Sequence, residues 1–121
     1  MTIAFWIVAG IAAFAFLAAG GMKLVRPVPA LKEGGMGWVD DFSTPAVKLI
    51  ALAEVLGAIG LIVPPLVGIA PILSPIAGIA LAVIMAGAVI VHLRRKETAT
   101  PAIVLTLLPI AAAVLGFVVV A

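Results

Sequence analysis

LIALAEVLGAIGLIV, residues 49–63, decides what kind of protein this is. Fourteen of its fifteen positions are apolar or glycine, and the fifteenth is Glu54. The stretch is preceded by Ser43, Thr44 and Pro45. A hydroxyl cap followed by proline in the first turn is good helix-start chemistry. It is followed by Pro64 and Pro65, where a helix is expected to stop. The reading is therefore a helix over about 46–63, close to the roughly 20 apolar residues that cross a bilayer core.

The rest of the chain places that helix in lipid. Of 121 residues, 66% are hydrophobic and 10% are charged, against roughly half and a quarter in a soluble domain. A water-soluble core of this size could not hide so much apolar surface. Three further runs match the first: about 2–22, ended by Lys23; about 75–93; and 101–121, with a kink expected at Pro109. Pro71 and Pro75 interrupt the apolar stretch before the third, so 66–74 is expected to be short and irregular. The fold class is an all-α integral membrane four-helix bundle, with a proline-broken segment before the third helix. The chain is one domain, 1–121. The first run is longer than the core of a secretory signal and has no basic residue ahead of it, so it is read as a retained span.

All seven lysines and arginines fall on one side. Lys23, Arg26, Lys32 and Lys48 belong to the connection over 23–45 and its far edge, and Arg94, Arg95 and Lys96 belong to the third connection. The positive-inside rule then gives a multi-pass protein of the cytoplasmic (inner) membrane, with these two loops cytoplasmic and both termini outside, N-out and C-out. The net charge is only +2, so the few basic residues mark topology and not a nucleic-acid surface. There is no cysteine, which excludes disulfide and thiolate chemistry. A single histidine excludes an HExxH zinc site and a bis-histidine haem within one chain. No P-loop, dinucleotide fingerprint or GxSxG nucleophile occurs. No metal site is expected and no cofactor is visible.

What remains is a sparse set of polar residues in or beside the membrane. Glu54 has Ile50, Ala51, Gly57 and Ala58 at its helical neighbour positions. Three of the four are small, so Glu54 faces a close-packed helix. A charge there costs roughly 2.5–3.5 kcal/mol on insertion scales, so Glu54 is either protonated or paired with a cation. Lys23 is the first candidate partner. It ends span one on a small-residue face, and Glu54 lies only roughly 13 Å along the axis from Pro45. The alternative for Lys23 is snorkelling to headgroups. His92 is the second candidate. Gly78, Met85 and His92 are spaced by seven and share one helix face, so His92 is either a titratable group at the bundle mouth or an ordinary interfacial residue.

The loop GGMGWVDDFSTP (34–45) holds the rest. Trp38 is an interfacial anchor, as is Trp6 at the opposite end. Asp40 and Asp41 suit a helix N-terminus, or a cytoplasmic lid over a cavity. The catalytic candidates are therefore Glu54, His92 and Lys23, and the ligand-binding candidates Trp38, Asp40, Asp41 and Met85.

In this pattern the chain resembles the DoxX-like membrane proteins. The resemblance rests on AAGGMKL (18–24), MGW (36–38), LAEVLGAIGLIVP (52–64), SPIAGIALAVIMAGA (74–88) and HLRRKE (92–97), in family order over nearly the whole chain. It implies a four-helix membrane bundle, with Lys23, Glu54 and His92 at family-type positions. Many relatives carry an arginine after a glycine late in the last helix, whereas here Gly116 is followed by Phe117. Family members are linked to quinone-coupled oxidation of sulfur compounds, redox-stress complexes and membrane-protein assembly. The resemblance thus implies a fold more than a function.

Four functions fit these residues. The first is an intramembrane pocket for a lipophilic small molecule such as a quinone, within an accessory subunit whose partner membrane or redox protein supplies electrons. The second is a cofactor-free acid–base isomerase or ring-opening enzyme. The third is a proton-coupled small exporter, although small multidrug transporters carry their glutamate in the first helix. The fourth is a scaffold or assembly factor in which Glu54 and Lys23 set helix registry. No signature decides whether the chain is an enzyme. Its partners are expected to be membrane lipid, a second membrane protein and further copies of itself, with no nucleic acid.

Overall fold

The computed structural model describes residues 2–34, 37–98 and 100–120. Four long helices form the bundle: α1 (Thr2–Val25), α3 (Thr44–Val67), α4 (Leu73–Arg94) and α5 (Thr100–Val120). Each is long and apolar enough to cross a membrane. Between α1 and α3 lie a short helix, α2 (Val28–Glu33), and one 3₁₀ turn, Gly37–Asp41. Among the described residues there is no strand. Consecutive long helices run antiparallel, and the ring closes through α1 against α5.

The helices are apolar on every side, so hydrophobicity does not select which face turns inward. Size does. The buried stripe of α1 is Phe5, Ala9, Ala12, Phe16, Gly20 and Lys23, and that of α3 is Val47, Ala51, Glu54, Ala58 and Leu61. Both follow the three-and-four spacing of one helix face. Large apolar residues such as Ile3, Phe14, Leu49 and Val83 are left outside, as lipid permits. At two contacts the small residue is required. A Cβ on Gly20 would lie 2.9 Å from the Ala51 carbonyl oxygen, and one on Gly78 would lie 2.9 Å from the Pro109 carbonyl oxygen. Dispersion contact across such close approaches, rather than expulsion of water, holds membrane helices together.

Two boundaries differ from the sequence expectation. Helix α3 does not stop before Pro64 but runs through both prolines to Val67, and Gly68 ends it in the left-handed conformation (φ 72°). The irregular piece shrinks to the residues between Val67 and Leu73. A helix that continues through Pro65 leaves the carbonyl of Leu61, four residues back, without its N–H partner. In lipid such a group must be satisfied from within the protein. The Ser74 hydroxyl donates to Leu61 O at 2.6 Å, and that compensation is what the sequence reading lacked. Pro75 falls in the first turn of α4, where its missing N–H removes no helical bond.

Candidate functional site

Gly20 brings α1 and α3 close, and one turn further along α1 lies Lys23, opposite Glu54. The Lys23 ammonium donates to Glu54 Oε1 at 2.5 Å. Both residues sit on the buried stripes: Lys23 is 7% exposed and Glu54 1%. Lys23 therefore turns inward and does not snorkel outward, and it is Lys23 rather than His92 that partners Glu54. The other carboxylate oxygen, Glu54 Oε2, is buried and has no hydrogen-bond partner among the described residues. A buried acceptor left unpaired costs roughly 1–3 kcal/mol, so this oxygen is the place where a bound molecule gains most.

The pair lines a cavity of about 490 Å³ at the end of the bundle that carries the basic residues. Its walls are apolar: Ala19, Ile50, Ile84, Met85, Ala88, Val91, Ala102 and Leu105 are among them. His92, Trp38 and Phe42 also line it. The volume lies in the range of small-molecule sites, and so does the balance of mostly apolar wall with a few polar groups. The Gly78, Met85, His92 register supplies two of these residues, with Gly78 and Met85 buried.

The connection between α1 and α3 folds over this end. Leu31, Val39 and Val47 form a small core with Met22, Val28, Trp38 and Phe42 packed on it. Trp38 meets Phe42 edge-on at 5.7 Å between centroids, and the Lys23 ammonium lies 5.6 Å from the Trp38 ring centre, within cation–π range. Trp38 is thus a wall of the cavity as well as an interfacial residue. Lys48, near the start of α3, donates to the carbonyls of Lys23, Leu24 and Arg26. It thereby caps the C-terminal turn of α1, where carbonyls are unpaired and a cation is favoured. The side chains of Asp40 and Asp41 lie outside the described residues. Trp6, at the opposite end, packs edge-on against Phe5 at 5.2 Å.

His92 is held by residues that follow it. Lys96 N–H donates to Leu93 O and Glu97 N–H to His92 O, with Lys96 in the left-handed conformation (φ 57°). This is a Schellman ending, and it folds the chain back so that Glu97 Oε1 lies 3.4 Å from His92 Nδ1 and accepts from Arg95 Nε at 3.1 Å. Glu97 and Phe42 were not singled out in the sequence, and Lys48 only as one of the basic residues that mark topology. The only local signal for Glu97 is an acidic residue just past a helix end rich in cations. Among the described residues no group of three or more His, Cys, Asp or Glu could hold a metal ion.

Comparison with known proteins gives a family and nothing finer. The model of the DoxX-like family matches residues 7–119. No curated protein matches the chain, and no solved structure does.

Proposed function

This chain belongs to the DoxX-like family, and on that premise we propose that its bundle is a receptor for a lipophilic small molecule, taken up in the cavity beside Glu54. The observation that carries the reading is the unpartnered Glu54 Oε2 in an apolar cavity of about 490 Å³. The ligand class that suits such a site is a ring with polar substituents and an apolar body, as in a quinone or quinol. Lys23 and Glu54 address the polar substituents, Trp38 and Met85 the ring, and His92 connects the cavity to the loops. In this reading the redox step belongs to a partner protein, and this chain acts as its accessory subunit. The basic loops support a cavity mouth on the cytoplasmic side of the inner membrane.

One structural observation favours a second reading. The Lys23–Glu54 pair joins α1 to α3 directly over the Gly20 contact, which is where a device for helix registry would sit. In that case the protein is a scaffold.

Binding separates the two. Purified protein carrying Trp6→Phe, in nanodiscs without oxygen, leaves Trp38 as the sole tryptophan beside the cavity, and decyl-ubiquinol quenches it on binding. The expected result is saturable quenching that is weakened at least about tenfold by Glu54→Gln with helix content intact, since a matched buried hydrogen bond is lost. Equal quenching in Glu54→Gln removes Glu54 from the site. Absence of binding in the parent protein, for quinone and quinol alike, leaves the scaffold reading.

A further inference from the structure

Two of the groups that line the cavity, Glu54 and His92, can accept a hydrogen bond. Glu54 Oε2 is a buried carboxylate oxygen without a partner. His92 Nδ1 faces Glu97 Oε1, which already accepts from Arg95. A carboxylate beside an arginine can only accept, so the His92 tautomer that matches this contact carries its proton on Nδ1. In that tautomer Nε2 is an acceptor, and His92 lines the cavity.

The cavity also contains a donor, the Lys23 ammonium, engaged with Glu54 Oε1. A ligand atom placed at this pair meets a donor and an unpaired acceptor together. A hydroxyl satisfies both, because its oxygen accepts from Lys23 while its hydrogen goes to Oε2. A carbonyl or ether oxygen satisfies Lys23 alone and sets its lone pairs against Oε2, which stays buried and unpaired. At His92 the same rule holds, since Nε2 can be matched only by a donor.

We propose that the cavity selects the hydroxyl-bearing form of its ligand, an aromatic diol, over the carbonyl form of the same ring, and that Glu97 is the positioning residue that sets the His92 acceptor. This rests on the small-molecule reading of the site and specifies it further.

Three ligands of one ring size test it: tetramethylhydroquinone, its dimethyl ether and tetramethylbenzoquinone, measured by equilibrium binding to the full chain in nanodiscs without oxygen. The ether keeps the oxygens and removes the donors without redox chemistry. The diol is expected to bind at least about tenfold more tightly than either of the others, the effect of one mismatched buried polar group. Glu54→Gln is expected to bring the three within about threefold of one another, because its amide can donate where Oε2 only accepts.

Glu97 is read independently of affinity. His92 is the only histidine, so ¹⁵N-histidine labelling gives a single ring to observe. Its signals are expected to show the proton on Nδ1, and Glu97→Ala is expected to shift them toward the Nε2-protonated form and to weaken diol binding without changing ether binding. Equal affinity for diol and quinone, or tighter binding of quinone, overturns the selectivity while leaving the receptor reading intact. Failure of all three ligands to bind overturns both. An unchanged histidine spectrum in Glu97→Ala overturns the role of Glu97.

Discussion

Replacing Lys23 by methionine should unmask the cost of burying Glu54. The methionine keeps the length and apolar stem of the lysine, so packing on Trp38 and on α3 changes little. What is lost is the ammonium on Glu54 Oε1, while Oε2 already lacks a partner. Breaking one side of a buried ion pair costs about 3–5 kcal/mol. A ceiling exists, because the carboxyl can take up a proton. For an ordinary glutamate at pH 7 that costs about 3.7 kcal/mol, from its reference pKa of about 4.3. The expected loss is therefore about 3–4 kcal/mol.

The partner replacement should be milder. In Glu54→Leu the lysine is left without its carboxylate, but it lies in the last turn of α1 and its stem can carry the ammonium out to headgroups. A loss of about 1–2 kcal/mol is expected. The double replacement Lys23→Met with Glu54→Leu should fall within about 1 kcal/mol of the parent, since an apolar pair of similar volume replaces a buried ion pair at little net cost. Reversible unfolding in mixed micelles, followed by Trp38 fluorescence in a Trp6→Phe background, measures all four proteins. A Lys23→Met loss below about 1 kcal/mol would refute the claim that the pair is desolvated. A double variant as unstable as Lys23→Met would show that the charges are needed for something other than neutralising one another.

Three further outcomes follow from particular contacts. Ser74→Ala removes the donor to Leu61 O and should destabilise the bundle by about 0.6–1.7 kcal/mol; adding Pro65→Ala should restore most of it, because position 65 then supplies the helical N–H, and an absence of rescue in unfolding experiments would sink this account. Gly20→Val places a side chain 2.9 Å from the Ala51 carbonyl oxygen, so α1 and α3 must part; a loss of about 1–3 kcal/mol is expected, with weaker ligand binding, and unchanged unfolding would show the contact to be loose. Lys48→Met strips the cap from the end of α1; a loss of about 1 kcal/mol is expected together with faster amide exchange at Leu24 and Val25, and unaltered exchange there would count against capping.

The four spans, the grouping of the basic residues and the abnormality of Glu54 were legible because each follows from a property of single residues. Apolar length sets a span, and a lone carboxylate stands out in it. The limits of α3 were not legible. Pro64 and Pro65 looked like a stop because proline cannot donate, whereas the helix runs on through them, with Ser74 on the next helix donating to the carbonyl that Pro65 leaves open. The choice between Lys23 and His92 as partner of Glu54 was equally out of reach. Both lie at the same end of the bundle, and spacing along one helix says nothing about which neighbour helix it faces.

The sequence by itself determined that this is a membrane bundle, since 66% hydrophobic residues in four spans admit no other solvent. It also determined that Glu54 requires an answer, since a carboxylate in lipid is costly wherever it lies. Only the tertiary structure decided what the answer is. In a helix that is apolar all round, the inward face is chosen by which small residues fit against a neighbour, and that fit at Gly20 sets Lys23 on one oxygen of Glu54. The other oxygen is left to the cavity, with no donor among the described residues within hydrogen-bond reach of it.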